Sequence, residues 1–132
     1  MRRTHIMLNV SSLANAKKFY SALLGIAPTK EKPDYLQWKI DNPSLNLSIK
    51  SNPGETFGVN HLGIEASSDE ELQALYLQAK NANVAMEEEG LTTCCYAKSQ
   101  KSWAKDADQN EWELFTTYQD SPGYYESAVS LK

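Results

Sequence analysis

The sequence lacks the long apolar runs of membrane-spanning proteins and the excess of positive charge of nucleic-acid-binding proteins. No stretch of its 132 residues approaches the roughly 20 apolar residues that a membrane-spanning helix needs. The formal net charge is −4, which argues against nucleic-acid binding, because such proteins carry basic patches. The charged start of the chain has no apolar stretch behind it, so no signal peptide is predicted. We therefore expect a cytoplasmic protein with no membrane or nucleic-acid partner.

A unit that begins with a histidine occurs twice in the chain. After His5, apolar residues alternate as in a strand and then recur at helical spacing up to Gly25, which is placed to end the helix. The same pattern follows His61, where Ser68 and Glu71 form a predicted capping box. The offset between the two units is 61 − 5 = 56 residues. Further strands are predicted at residues 35–40, 45–49, 85–88, 94–97, 102–105 and 111–117.

This repeat predicts an α+β fold in which two βαβββ modules form a curved mixed sheet around a metal site, with the helices outside. The predicted domain spans residues 1–118, with modules at 1–54 and 58–118. Turns are predicted at Gly90 and over residues 106–110, among other places. Residues 119–132 form a C-terminal tail that is either ordered on the domain or a dimer contact. Because such modules leave sheet edges exposed unless they are paired, a homodimer is expected.

Strand alternation predicts a metal site that uses both histidines. In the last predicted strand, Trp112 and Leu114 face the helix, so Glu113 points to the opposite face, which His5 and His61 share in their own strands. Two imidazoles and one carboxylate, with coordination positions left open, form the facial triad of non-heme Fe(II) enzymes. A single strand histidine is more often a core or surface residue, but the matched pair with an inward carboxylate favours ligation.

Two other polar residues bear on the ligand set. Glu111 has the same parity as Glu113, but it lies at the edge of a polar turn and is expected to be solvated. Asn46 occupies in the first module the place that Glu113 has in the second, and a neutral amide is a poor ligand. The sequence therefore predicts one site with three ligands.

The chain has only two cysteines, Cys94 and Cys95, and they are adjacent. Zinc sites separate their cysteines by two to four residues, so a zinc knuckle is not predicted. Two neighbouring thiolates can chelate a large, soft centre, and Lys98 and Lys101 are expected to lower the thiol pKa. Taken alone, the favoured interpretation is still that both cysteines are small buried hydrophobic residues.

These features resemble the vicinal oxygen chelate superfamily, which includes glyoxalase I, extradiol dioxygenases and bleomycin-resistance proteins. The resemblance runs to about residue 118, and residues 19–25, 60–64 and 106–113 carry it beside the repeat. Residues 88–90, 92–99 and 101–103 are similar to a narrower group, the organoarsenical carbon–arsenic lyases, also known as cadmium-induced proteins. Residues 106–110 depart from that group, which commonly has a Pro-Gly turn there.

The narrower resemblance implies an Fe(II)- and O₂-dependent enzyme that breaks the carbon–arsenic bond of trivalent organoarsenicals and releases arsenite. It implies that His5, His61 and Glu113 are the metal ligands and catalytic residues, and that Cys94 and Cys95 bind the substrate. Another divalent metal in the purified protein is the alternative to iron.

Three other functions are weighed against this one. An extradiol dioxygenase would share the three ligands but needs no cysteine pair. Glyoxalase I usually has a fourth protein ligand, and Asn46 counts against one here. A non-enzymatic resistance protein would sequester arsenic, cadmium or an antibiotic without turnover.

Overall fold

The computed structural model describes residues 1–52, 54–120 and 125–127. Over these residues the chain forms two helices and nine strands, and each helix follows one strand and precedes at least three more, with a short fourth strand at the end of the second module. This order confirms the α+β class and the two βαβββ modules predicted from the repeat. The elements are β1 (Arg3–Val10), α1 (Leu13–Leu24), β2 (Lys30–Lys32), β3 (Tyr35–Asp41), β4 (Ser44–Ser51), β5 (Gly58–Ala66), α2 (Asp69–Asn81), β6 (Met86–Cys94), β7 (Ala97–Lys105), β8 (Glu111–Asp120) and β9 (Tyr125–Ser127).

The chain divides into two compact units. The first unit is Arg3–Leu62, and the second unit is Gly63–Lys132 together with Met1–Arg2. Strand β5 begins in the first unit and ends in the second, so His61 belongs to the first unit. In the part of the chain that the structure describes, no helix is both long enough and apolar enough to cross a bilayer.

In the first unit, strands lie in the order β2-β3-β4-β1, and β1 is parallel to β4 while the others are antiparallel. Helix α1 begins after Ser12, whose side chain accepts a hydrogen bond from the Asn15 backbone, and it ends at Gly25 with φ of 73°. The helix packs on one face of this sheet, where the buried core consists of Ala16, Leu36, Trp38, Leu47 and Ile49.

The opposite face of the same sheet is polar, yet it is equally buried. On β1 it carries His5, Met7 and Asn9, each at most 5% exposed. Its neighbour β4 contributes Asn46 and Ser48, each 2% exposed. A buried polar face needs internal hydrogen bonds and is the kind of surface on which a ligand site is built.

In the second unit, strands lie in the order β8-β7-β6-β9 and all three pairings are antiparallel. Helix α2 begins after Ser68, whose hydroxyl accepts from the Glu71 backbone 3.1 Å away, which is one half of the predicted capping box. The Glu71 carboxylate accepts from the Ser67 backbone instead of the Ser68 backbone. The helix covers the face that carries Leu114, because Leu75 and Ala79 of α2 line one cavity together with Trp112 and Leu114 of β8. Glu113, one residue earlier, therefore points away from the helix.

Two local predictions were wrong in this unit. Residues 94–97 are not one strand but a hairpin turn, here called the thiol turn, in which Cys94 ends β6, Ala97 begins β7 and the two residues between them form the turn. Its central residues Cys95 and Tyr96 have φ of 57° and 61°, the positive values of a type I′ turn. Gly90 does not end a strand either. It lies inside β6 with φ of 76°, where the pairing with β7 shifts by one residue in a β-bulge.

Candidate functional site

The two histidines lie side by side in the first unit. The Nε2 atom of His5 is 3.2 Å from the Nε2 atom of His61, and the ring centroids are 5.2 Å apart. His5 is buried in β1, and His61 is partly buried in β5. The 56-residue repeat therefore brings together the histidines that open its two copies.

Hydrogen bonds on the other side of each ring determine where its proton lies. The Nδ1 atom of His5 is 3.0 Å from the backbone oxygen of Asn46. The Nδ1 atom of His61 is 2.8 Å from the side-chain oxygen of Asn60. Both partners are amide oxygens, which only accept, so each Nδ1 donates its proton. In neutral rings the two Nε2 atoms then carry lone pairs that face each other.

Two ring nitrogens at this separation are placed to bind one cation together, and the spacing suits a metal ion. Ring nitrogens lie about 2.1 Å from a bound metal ion, so two of them at a right angle are about 3 Å apart. The observed 3.2 Å agrees with that spacing. Ligand histidines commonly donate their other N–H to a carbonyl or carboxylate, which fixes the ring orientation. The donor set of this pair therefore fits a divalent metal.

Asn46 supports the His5 ring. Its backbone oxygen accepts from His5, while its side-chain oxygen accepts from Gln37 at 3.1 Å and from Ser48 at 3.4 Å. The Ser48 hydroxyl also contacts the Tyr35 hydroxyl at 2.7 Å. The residue that replaces a carboxylate in the first module thus belongs to a buried network that holds His5, a role that sequence reasoning missed.

Glu113 lies buried on β8 in the second unit and forms an ion pair. Its Oε2 atom accepts from the Lys101 ammonium at 2.7 Å, and the two side chains are 7% and 4% exposed. Burial is the largest single influence and lowers the pKa of Lys101, but the charge and hydrogen bond of Glu113, together with the electrostatic influence of Cys94 and Cys95, exceed it and raise that pKa above its ordinary value. Glu111, the rival carboxylate, is exposed, as expected.

Sequence reasoning missed the role of Lys101, although a signal for it was present. The predicted turn at residues 106–110 joins two strands, and it sets Lys105 opposite Glu111. Counting back along both strands sets Trp103 opposite Glu113 and leaves Lys101 on the same face, two residue pairs further along.

Cys94 shares this face with Lys101 and Glu113. It pairs with Ala97 across the thiol turn, and alternate residues from Ala97 lead to Lys101 along β7. The electrostatic influence of both Lys101 and Glu113 reaches the Cys94 thiol. One face of the β6-β7-β8 sheet therefore carries a thiol, an ammonium and a carboxylate.

The two thiols are close enough to bind one centre. The Sγ atoms of Cys94 and Cys95 are 3.1 Å apart, and both residues are partly buried free cysteines. Positive φ is unfavourable for a residue with a side chain, so the surrounding hairpin must hold the thiol turn in this conformation. The turn thereby fixes the direction of the Cys95 side chain beside Cys94.

Lys101 acts on the pKa of the Cys94 thiol in the predicted direction, but that pKa is nevertheless raised. The hydrogen bond with Cys95 and then burial raise the pKa of the Cys94 thiol, and the opposing influence of Lys101 is smaller. Lys98 pairs with Thr93 and lies on the other face of β7. The hydrogen bond with Cys95 and burial therefore favour the thiol form of Cys94 over the thiolate.

Residues 2–114 match the family model described as the Glyoxalase/Bleomycin resistance protein/Dioxygenase superfamily. The chain belongs to this superfamily. A trivalent organoarsenical cleaving enzyme of Bacillus sp. (strain MD1) is 41% identical over 120 residues, which cover 89% of this chain and 74% of that relative. Cadmium-induced protein CadI of Mycobacterium tuberculosis (strain ATCC 25618 / H37Rv) is 37% identical over 121 residues, covering 92% and 80%. Both resemblances seen in the sequence are confirmed by these matches.

The fold of the superfamily is also found among solved structures. A methylmalonyl-CoA epimerase of Streptomyces coelicolor superposes with a TM-score of 0.63 at 17% identity, covering 92% of this chain and 99% of that one. At this identity the likeness concerns the fold alone. The choice of reaction must therefore come from the residues of this chain.

Proposed function

We propose that the protein cleaves the carbon–arsenic bond of trivalent organoarsenicals, with Fe(II) and O₂, and releases arsenite. The observation that carries this proposal is the thiol pair, with Sγ atoms 3.1 Å apart, in a chain 41% identical to a named organoarsenical cleaving enzyme. The reaction of an extradiol dioxygenase does not require two adjacent thiols beside a buried carboxylate.

His5, His61 and Glu113 are the proposed metal ligands. The paired histidine lone pairs in the first unit and the buried carboxylate in the second supply two nitrogens and one oxygen, the donor set that suits Fe(II). Iron held by these residues supplies O₂ activation, which the side chains of the protein cannot provide. Another divalent metal in the purified protein would explain an inactive preparation, since redox chemistry would then be lost.

Cys94 and Cys95 capture the substrate. A trivalent arsenical R–As(OH)₂ exchanges both hydroxyls for sulfur, and each thiol proton leaves with one hydroxyl as water. This exchange consumes thiols rather than thiolates, so the raised pKa of Cys94 is compatible with it. The two As–S bonds then hold arsenic at the thiol turn and fix its orientation, which is a large part of the catalytic effect of an enzyme.

The overall reaction balances for the simplest substrate. Methylarsenite, CH₃As(OH)₂, and one O₂ give formaldehyde and arsenite, As(OH)₃. The carbon is oxidised and O₂ is reduced, so no further reductant is needed. Pentavalent arsenicals have no pair of exchangeable ligands at a thiophilic centre and should not be substrates until they are reduced.

The decisive experiment is reconstitution with Fe(II) without air, followed by addition of methylarsenite and air. We expect arsenite to appear in multiple turnovers, measured by arsenic speciation, with formaldehyde in equal amount. Without added metal, arsenite should stay at background. Catechol ring opening in place of arsenite release would favour an extradiol dioxygenase and contradict the proposal.

A second candidate function has one observation in its favour. The relative from Mycobacterium tuberculosis is named cadmium-induced, and two thiols 3.1 Å apart are suitable ligands for a soft cation. A sequestering protein would retain bound arsenic and release no arsenite when Fe(II) and O₂ are both present. The same experiment therefore separates binding from turnover.

The homodimer and the cytoplasmic location stay proposals. Unpaired edge strands favour self-association, and a stable dimer would bury an interface on the order of 1,600 Å². We expect a dimer by sedimentation velocity at micromolar concentration. A monomer under those conditions would contradict the dimer but not the reaction.

A further inference from the structure

The Glu113 carboxylate, which the proposed function assigns to the metal, forms an ion pair with Lys101. The ammonium bonds one oxygen, Oε2, at 2.7 Å, and both side chains are almost completely buried. Burying an ammonium without a counter-charge costs folding free energy. This ion pair is therefore part of the folded interior of the second unit and not a contact on its solvated surface.

Lys101 reaches Glu113 along the strands rather than directly across them. Trp103 is the residue opposite Glu113, while Lys101 pairs with Phe115. The lysine therefore lies on the same face, two residue pairs further along the strands, and its long side chain runs back toward the carboxylate. From this direction a single point-like ammonium contacts one oxygen and leaves the other to a different partner.

We propose that Lys101 is a positioning residue that holds Oε2 of Glu113, so that the carboxylate binds the metal through its other oxygen only. This inference rests on the proposed function, because it assumes that Glu113 is a metal ligand. Carboxylate ligands are generally hydrogen-bonded on their outer side, and such partners fix the way they bind.

The number of carboxylate oxygens on the metal determines how many positions remain open. Two histidines and one oxygen occupy three positions of an octahedral ion, which leaves three. If both oxygens bind, one of these positions is lost. Lys101 thereby keeps three coordination positions open, enough for two further ligands and a water. Its positive charge also lowers the affinity of the site for a divalent cation.

Two substitutions at position 101 should shift Fe(II) affinity in opposite directions. Lys101→Met removes the donor and the charge, so both oxygens become available and affinity should rise about tenfold. Lys101→Arg supplies a forked donor that can take both oxygens, so affinity should fall about tenfold or more. The measurement is competition with a graded chelator, without air, starting from the Fe(II)-loaded protein so that the folded state is populated.

A second readout reports the ligands around the iron. Nitric oxide added to the Fe(II) protein binds at an open position and gives an electron paramagnetic resonance signal whose shape depends on the other ligands. Two positions stay open in Lys101→Met, so we expect the signal to remain but to change in shape, and arsenite release to fall about 10- to 100-fold despite tighter metal binding. Lys98→Met is the matched control, because it removes the same charge from the other face of β7 and should change neither readout.

The outcomes distinguish the inference from the function on which it rests. If the unaltered protein binds Fe(II) and releases arsenite, but both Lys101 variants lose affinity together, Lys101 is a structural partner only and the inference is wrong. Unchanged affinity and nitric oxide signal in both variants would also overturn it. If the unaltered protein neither binds Fe(II) nor releases arsenite, the proposed function itself has failed.

Discussion

Replacing Glu113 with glutamine should abolish Fe(II) binding and lower arsenite release by about a thousandfold, which corresponds to roughly 4 kcal/mol of lost transition-state stabilisation. Glutamine keeps the shape of the side chain, and its amide oxygen can still accept from the Lys101 ammonium. The neutral amide is nevertheless a poor ligand for a divalent metal. Fe(II) titration without air and arsenic speciation after addition of methylarsenite measure the two effects separately.

Alanine at the same position is a less informative change. It leaves the buried Lys101 ammonium without its carboxylate, which typically costs about 3–5 kcal/mol of folding stability. A loss of activity in Glu113→Ala therefore mixes unfolding with loss of the metal. The matched control is Glu111→Ala, which removes an exposed carboxylate of the same parity and should leave iron affinity unchanged. Full iron affinity in Glu113→Gln would reject Glu113 as a ligand.

His5→Ala and His61→Ala test the other two ligands. Each leaves one ring nitrogen facing an empty space, so Fe(II) affinity and arsenite release should fall as in Glu113→Gln. His5→Ala should destabilise the fold more than His61→Ala, because His5 is buried and hydrogen-bonded to Asn46 whereas His61 is only partly buried. His61→Ala is therefore the cleaner variant, and thermal unfolding of both proteins without metal provides the correction.

The positions of the candidate ligands could be predicted because they follow from local patterns. Strand alternation alone placed Glu113 on the face away from Leu114, and the cavity that Leu114 lines with Leu75 of α2 identifies the helix side of the strand. The period of two residues holds within one strand whatever the rest of the fold does. The repeat likewise identified His5 and His61 without any knowledge of the sheet order.

The thiol turn could not be predicted because its residues are not those that usually form such turns. Two-residue hairpin turns with positive φ are dominated by asparagine and glycine, whereas this one has Cys95 and Tyr96. The nearby Gly90 carried the usual turn signal but forms a bulge instead. Because the turn was predicted at Gly90 and not at the thiol turn, the sequence could not show that the side chains of Cys94 and Lys101 lie on the same face.

Replacing either cysteine of the thiol turn with serine should abolish capture of trivalent arsenicals while Fe(II) binding stays unchanged. Oxygen is a harder and poorer ligand for arsenic than sulfur. With one thiol left, the second As–S bond is lost, and with it the advantage of a nearby second ligand, which is on the order of 10²–10⁴ in affinity. Equilibrium dialysis with methylarsenite, without metal and without air, measures capture alone.

The reciprocal variant makes the result decisive. His61→Ala should bind methylarsenite as the unaltered protein does, yet release no arsenite, because capture depends on the thiol turn and cleavage on the metal ligands. An extradiol dioxygenase would be indifferent to both serine changes. A sequestering protein would lose binding in Cys94→Ser and Cys95→Ser but would never release arsenite in any form. If the serine variants release arsenite from methylarsenite at the unaltered rate, the thiols do not capture the substrate, and the close approach of the two Sγ atoms has another cause.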